Sequence, residues 1–471
     1  MIQKYLSLYI IVFLALISKP MAAALYPSTV AKPYPGGKTY LFRLWLIDKQ
    51  GTNYSLQHPE KFLSHRSLQR RVRQGIQVDS TDLPVSAVYT HAVEQRGFQV
   101  VCKSKWNNTI LVRSKQKEAL AFLQHLPFVT SAKMVWASPD SIRRGVKRDD
   151  VRSDLMIVDD SPESYYGTTF QQINTVNGIA LHQYGFKGKG MQIAVLDAGY
   201  MNVDKIPAFS NIHINGIRNF VPDQPDNVYE YMDHGTKTLS VMALNQPKSF
   251  VGAAPDASYW LIRTEDALTE SGAEEDYWAA GAEYADSVGV DVISSSLGYV
   301  SFDDKSTNYH YKDLDGKTAL ISRTASVLAS KGIVLVNSAG NEGMGTWKKI
   351  GFPADANDIL TVGAIEPDSV NAAFSSVGPT ADWRIKPDVM AMGSPTAVVT
   401  GHGTVIRDTG TSFAAPIIAG MVACLWQALP EKSAKEIIDI VRKSSNNYLT
   451  PDNIMGYGVP NFWNAYIDNK R

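Results

Sequence analysis

One serine stands at the centre of a small-residue run, Gly410-Thr411-Ser412-Phe413-Ala414-Ala415-Pro416. Behind it Phe413, Ile417, Ile418, Met421, Cys424, Leu425 and Ala428 recur at helical spacing, so a buried helix starts at or beside Ser412. The positive end of a helix favours developing negative charge. Pro416 reads as part of the first turn, where a backbone N–H can be lost without losing a hydrogen bond. Alone, such a serine reads as the N-cap of a core helix. Three further stretches change that reading. Residues 191–196 form a short apolar run, read as a buried strand, ending in Asp197-Ala198-Gly199. Asp233-His234-Gly235-Thr236 opens a helical stretch through Leu239, Val241, Met242 and Leu244. The strand at 333–336 runs into Asn337-Ser338-Ala339-Gly340-Asn341-Glu342-Gly343. Ser412, His234, Asp197 and the Asn341 amide are a nucleophile, a base, an orienting carboxylate and an oxyanion donor. Acyl transfer needs that set.

At these residues the chain resembles the subtilisin-like serine proteases (subtilases), over residues 166–466. The block Gly410-Thr411-Ser412 with Ala414-Ala415-Pro416 is the most specific match, supported by His234-Gly235-Thr236 and by Ser338 to Gly343. The stretches 251–257 and 294–298 are similar to family motifs, and all stand in the order Asp…His…Ser. Ala198 replaces the usual Ser or Thr, and Phe413 replaces the usual Met; neither change removes a catalytic atom. The resemblance implies an endopeptidase in which Ser412 attacks, His234 carries the proton, Asp197 orients, and Asn341 binds the oxyanion. It further implies that Ser296, Leu297 and Gly298 pair with the substrate backbone as an extended edge. Ser338, Ala339 and Gly340 would wall the main specificity pocket, with Gly351 as its floor. A glycine floor leaves depth for a large side chain, and Glu342 at the rim tolerates a cation. Protein or peptide substrates, a monomer and no cofactor for catalysis follow by the same resemblance. Many subtilases hold structural calcium, but no specific metal site carries over to this chain. The competing class is a catalytically silent binding protein on the same fold. A lipase-like hydrolase lacks its G-x-S-x-G elbow around Ser412.

The 471 residues suggest two or three folding units, and a formal net charge of zero gives no reason to expect nucleic acid or an anionic membrane surface. Arg66, Arg70, Arg71 and Arg73 read as a solvated helix face. Lys4, an apolar core from 6 to 17 and Met21-Ala22-Ala23-Ala24 have the order of a secretory signal, which predicts a secreted or extracytoplasmic protein with residues 1–24 removed. An uncleaved anchor is the alternative. No later stretch reads as long and apolar enough to span a bilayer. Cys102 and Cys424 make no disulfide framework and read as buried small residues.

Residues 25–137 read as a small α+β domain. It has a strand at 39–47, helices at 59–74 and around Val85 to Val93, and a strand pair about Asn107-Asn108. A helix capped by Ser114 and a last strand at 128–136 close it. By the family resemblance this is a propeptide, a folding assistant and intramolecular inhibitor. Residues 138–164 are polar, aperiodic and rich in charge, an exposed linker where maturation cleavage is expected between about 138 and 163. From 165 to 471 strands and helices alternate, so the fold class is α/β: a mostly parallel sheet with helices on both faces, with sites at the C-terminal strand ends. Ser433 and Glu436 form a capping box for a late helix. Gly185 to Gly190, the Asp313-Leu314-Asp315-Gly316 turn and His402 read as surface features rather than phosphate, calcium or catalytic sites.

Overall fold

The computed structural model describes residues 32–33, 37–142, 165–222 and 226–470. The expected signal segment, and most of the linker expected to be cut, lie outside the described residues.

The N-terminal unit contains β1 (Tyr40–Leu46), α1 (His65–Arg73), α2 (Ala87–Glu94), β2 (Gln99–Ser104), β3 (Thr109–Ser114), α3 (Ala119–Leu123) and β4 (Val129–Ala137). Its strands form one antiparallel sheet in the order β2-β3-β1-β4. Phe42, Leu44, Val93, Ile110, Val112 and Leu123 are its core. Two expectations need correction. The helix expected over 59–74 is broken after the short turn Pro59–Lys61, and Ser64 starts α1 afresh by accepting the Ser67 N–H. Ser114 caps nothing helical: it ends β3 and its side chain takes the Gln116 N–H, so α3 shrinks to five residues.

The larger unit places β5 (Gln192–Asp197), β6 (His213–Asn219), α4 (His234–Ala243), β7 (Ser258–Arg263), α5 (Glu274–Val288) and β8 (Val292–Ser295) first. It continues with α6 (Leu320–Val327), β9 (Val334–Ser338), β10 (Leu360–Ile365) and β11 (Val389–Met392). The hairpin β12 (Thr396–Val399) and β13 (Val405–Asp408), α7 (Thr411–Ala428) and α8 (Ala434–Lys443) follow. Seven strands form a wholly parallel sheet in the order β11-β10-β9-β8-β5-β7-β6. β5 is the switch point, because later strands add on both sides of it. Successive side chains of β5 serve opposite faces: Ile193 and Val195 meet α4 and α7, while Ala194 and Leu196 meet Trp278 of α5 and Ile321 of α6. Both faces are therefore covered, as the expected α/β class requires. The capping box at Ser433 is formed. By length and apolar content α7 is long enough to cross a bilayer, contrary to expectation, but 89% of it is buried within the fold.

The arginine cluster is the largest departure from the sequence reading. Arg70 and Arg71 are 2% and 1% exposed, because α1 lies against α5 of the larger unit. Arg70 Nη2 and Arg71 Nη1 reach Asp286 Oδ1 at 2.6 and 2.8 Å, and Lys105 Nζ reaches Asp286 Oδ2 at 2.9 Å. Arg43 binds Asp276 at 2.6 Å, and Ser104 and the Lys105 N–H bind Glu283. Between these pairs Leu41, Cys102, Leu111 and Val135 pack on Ala273, Tyr277 and Ala280. Sequence pattern could show the cations but not the acidic face awaiting them. Burial works against the Asp286 carboxylate, but its three cations outweigh that and hold its pKa below the ordinary 3.8. Its stabilisation is complete above that value and is lost as the pH falls toward the folded-state pKa. Replacing Asp286 by Ala takes the shared carboxylate from three cations at a buried interface and leaves Arg70 and Lys105 without an acidic partner there, while Arg71 keeps Asp82, so urea denaturation of the intact chain should show a loss of about 3–5 kcal/mol. A loss under about 1 kcal/mol would mean the pairs behave as surface salt bridges.

Candidate active site

β5 carries Asp197 to the C-terminal edge of the sheet, where it is fully buried. Its Oδ1 accepts the Ala198 N–H at 2.8 Å and faces His234 Nδ1 at 2.8 Å, while Oδ2 accepts the Thr238 hydroxyl at 3.1 Å. His234 is the first residue of α4. Two glycines let that helix come close enough. The Gly235 N–H donates to Gly199 O at 2.9 Å, and a Cβ on Gly235 would fall 2.4 Å from the same oxygen. A Cβ on Gly199 would fall 2.2 Å from Tyr231 O. The result is a pair with its carboxylate sealed and its imidazole 30% exposed toward a cleft. Burial by itself would lower the His234 pKa. The charge and hydrogen bond of Asp197, helped by Glu265, outweigh it and raise the value from 6.5 to about 9.

Ser412 is the second residue of α7. Pro416 sits beyond the first turn, which corrects the sequence reading, and so it removes the bond that would have satisfied Ser412 O. Ser296, just past β8, supplies the substitute: its hydroxyl donates to Ser412 O at 2.8 Å. The Ser412 hydroxyl in turn donates to Ser296 O at 3.3 Å. No hydrogen bond joins Ser412 Oγ to His234 in this structure, although both line one cleft. Such bonds often tighten only when substrate is bound. Asn341 lies beside them, its Oδ1 accepting the Thr411 N–H and hydroxyl at 3.0 Å each. With that oxygen held, the amide end is the one left for the cleft.

Ser296, Leu297, Gly298, Ser338, Gly340 and Gly351 also line the cleft. Ala339 does not, and here the expectation fails. It is fully buried, its N–H bonded to Val362 O and its carbonyl accepting the Gly351 N–H at 3.2 Å. Ala339 directly follows β9, and its two backbone bonds, to β10 and to Gly351, hold it inside the fold. Ala339 therefore ties Gly351 to the end of β9. The sequence reading missed Met232, Glu265 and Val300, which share the lining. Glu265 follows β7 by two residues, so its place at a strand's C-terminal end was the available signal.

The decoys are accounted for by geometry. Asp313 accepts the His310 N–H and Asp315 the Thr318 N–H, each closing its own turn. Among the described residues no group of three or more His, Cys, Asp or Glu is placed to hold a metal ion. His402 lies half-buried in the turn between β12 and β13. Cys424 is buried with its thiol on Ala253 O at 3.2 Å, and burial pushes its pKa well up.

Removing the charge of Asp197 takes away the main support of the imidazolium and leaves burial and Lys237 working against the pull of Glu265. In Asp197→Asn the imidazole should titrate well below about 9, as followed by histidine NMR. An unmoved titration would show that Asp197 does not control this ring.

Comparison with known proteins adds a second line of observation. Residues 188–458 match the Subtilase family, and residues 42–150 match the Peptidase S8 propeptide domain of Bacteroidota. Subtilisin E of Bacillus subtilis (strain 168) is 30% identical over 292 residues, covering 61% of this chain and 69% of its own. Subtilisin of Bacillus pumilus is 29% identical over 292 residues, covering 61% and 95%. Subtilisin Savinase of Lederbergia lenta is 28% identical over 290 residues, again covering 61% and 95%.

Proposed function

Since this chain belongs to the subtilase family and is a serine endopeptidase with a propeptide domain, we propose that Ser412, His234 and Asp197 are its catalytic triad. The observation that carries the reading is the 2.8 Å Asp197–His234 pair, set in one cleft with a serine at a helix N-terminus. In the proposed mechanism the Ser412 hydroxyl leaves Ser296 O and turns to the imidazole. Ser412 Oγ then attacks the scissile carbonyl carbon as His234 takes its proton. Asp197 stabilises the imidazolium without itself becoming protonated. The Asn341 amide and the Ser412 backbone N–H receive the oxyanion. His234 passes the proton to the leaving amine, and water repeats the sequence on the acyl-enzyme. The raised imidazole pKa implies that the free enzyme gains activity as the pH rises toward 9. These steps require no cofactor.

Substrate lies along Ser296 to Gly298 as an added strand, with its P1 side chain (the residue whose carbonyl is cleaved) between Ser338, Gly340 and Gly351. Broad cleavage after large residues follows. The precursor is exported through residues 1–24, is held inactive by its propeptide, and cuts itself between about residues 138 and 163. The mature enzyme acts outside the cytoplasm, as a monomer.

A fluorophosphonate should label Ser412, and Ser412→Ala should lose both label and turnover while remaining folded. Intact mass in a host without other proteases should then show a processed wild type and an unprocessed variant. An unlabelled wild type would favour a catalytically silent binding protein, and equal processing would assign the cut to another protease. A peptide library that demanded paired basic residues would contradict the P1 reading.

The role of Asn341 separates by kinetics. An oxyanion donor acts in the transition state, so Asn341→Ala should lower kcat and leave KM nearly unchanged. The corresponding loss in subtilisin is about 10²–10³-fold. A turn residue would show a lowered melting temperature with near-normal kcat.

A further inference from the structure

Glu265 brings an unmatched charge into the cleft. It follows β7, on the other side of β8 from the Ser338 strand, and shares the lining with His234. It is half-buried, and among the described residues its side chain makes no hydrogen bond or salt bridge. The charges that act on it are His234, which attracts, and Asp197 and Asp266, which repel. It acts in turn on Glu270 and Glu274, also carboxylates, and on the Tyr299 hydroxyl. Burial first, and the two aspartates after it, raise its pKa from 4.5 to about 7 against the pull of His234. Above that pH it is an anion in a partly desolvated wall, without a hydrogen-bond or ion-pair partner among the described residues and with the pull of His234, itself shared with Asp197, as its compensation. A ligand cation there would offset a standing electrostatic cost.

The direction of the substrate decides which side chain arrives. An extended peptide along Ser296 to Gly298 turns successive side chains to opposite sides. β8, which leads into Ser296, lies in the sheet between β9, which ends at Ser338, and β5 and β7, so with P1 on the β9 side the preceding residue, P2, turns toward the side to which β7 brings Glu265. We propose that Glu265 is a specificity residue that selects a cationic side chain, Lys or Arg, at P2. The inference rests on the peptidase reading above and adds a substrate class to it: peptides with a basic residue followed by a large one.

The test uses mature enzyme and chromogenic peptides identical except at P2, which is Lys, norleucine or Glu, with Phe at P1. At pH 9 and low salt the kcat/KM ratio of Lys to norleucine should be about tenfold or more, with Glu below both. In Glu265→Gln the ratio should fall to within about twofold of unity. Taking the ratio within one preparation cancels any loss of folded enzyme. A pH series on wild type alone gives a second reading should the variant fail to fold. There the ratio should decline toward unity below about pH 7, because the His234 titration is common to both peptides. A wild-type ratio near unity, or one unchanged in Glu265→Gln, overturns the proposal. Cleavage of the norleucine peptide, abolished in Ser412→Ala, establishes the peptidase reading separately. Failure to cleave any of the peptides would overturn that reading, and this one with it.

Discussion

The buried carboxylate of Asp197 is the constraint around which the site is arranged. A charge at the end of the central strand, with no exposed surface, is tolerated only if its oxygens are satisfied. The strand provides one donor, the Ala198 N–H, and α4 provides the other two, Thr238 and His234. Helix position, glycine placement and imidazole orientation are therefore one requirement seen from three sides. Gly199 and Gly235 allow the approach, Thr238 sits one turn after His234 to reach the second oxygen, and the ring is fixed by the first. Losing any donor would leave an uncompensated buried charge, whose cost exceeds that of an ordinary surface contact.

A second constraint joins the serine to the same edge. Pro416 leaves the Ser412 carbonyl without its intrahelical donor, and a hydroxyl at the end of β8 fills the gap. The helix is thus tied to the sheet at the turn that carries Ser412. Thr411 performs a similar service for Asn341 by holding its oxygen and leaving its nitrogen toward the cleft. The candidate groups come from four separate segments, and each segment is tied to the sheet edge by a hydrogen bond.

Ion pairs also decide the character of the contact between the two units. Asp276, Glu283 and Asp286 on α5 meet Arg43, Ser104, Lys105, Arg70 and Arg71 of the N-terminal unit across a modest apolar patch. Such an interface is firm while closed. It can also be opened into water, because every ion regains solvation on separation, whereas an apolar face of equal size would be left adhesive. That property suits a propeptide, which must hold its partner and later leave it.

The sequence by itself determined whatever depends on local order. Helical spacing behind Ser412, apolar runs ending in Asp197 and Ser338, and the Ser433 capping box each concern neighbours along the chain, and each was legible there. Even the alternation of elements sufficed for a parallel sheet. Tertiary structure decided the rest, for a common reason: a residue's partner across space leaves no periodic trace in its own segment. Arg70 and Arg71 look like a wet helix face until α5 arrives with Asp286. The edge strand His213–Asn219 shows no apolar run, because only β7 beside it gives it a place. Ala339 was expected in the wall from sequence, yet its backbone bonds to β10 and Gly351 hold it in the core. Glu265 is an unremarkable glutamate after a strand until folding sets its unpaired carboxylate beside His234, since charge is read from sequence but its compensation is settled only in three dimensions.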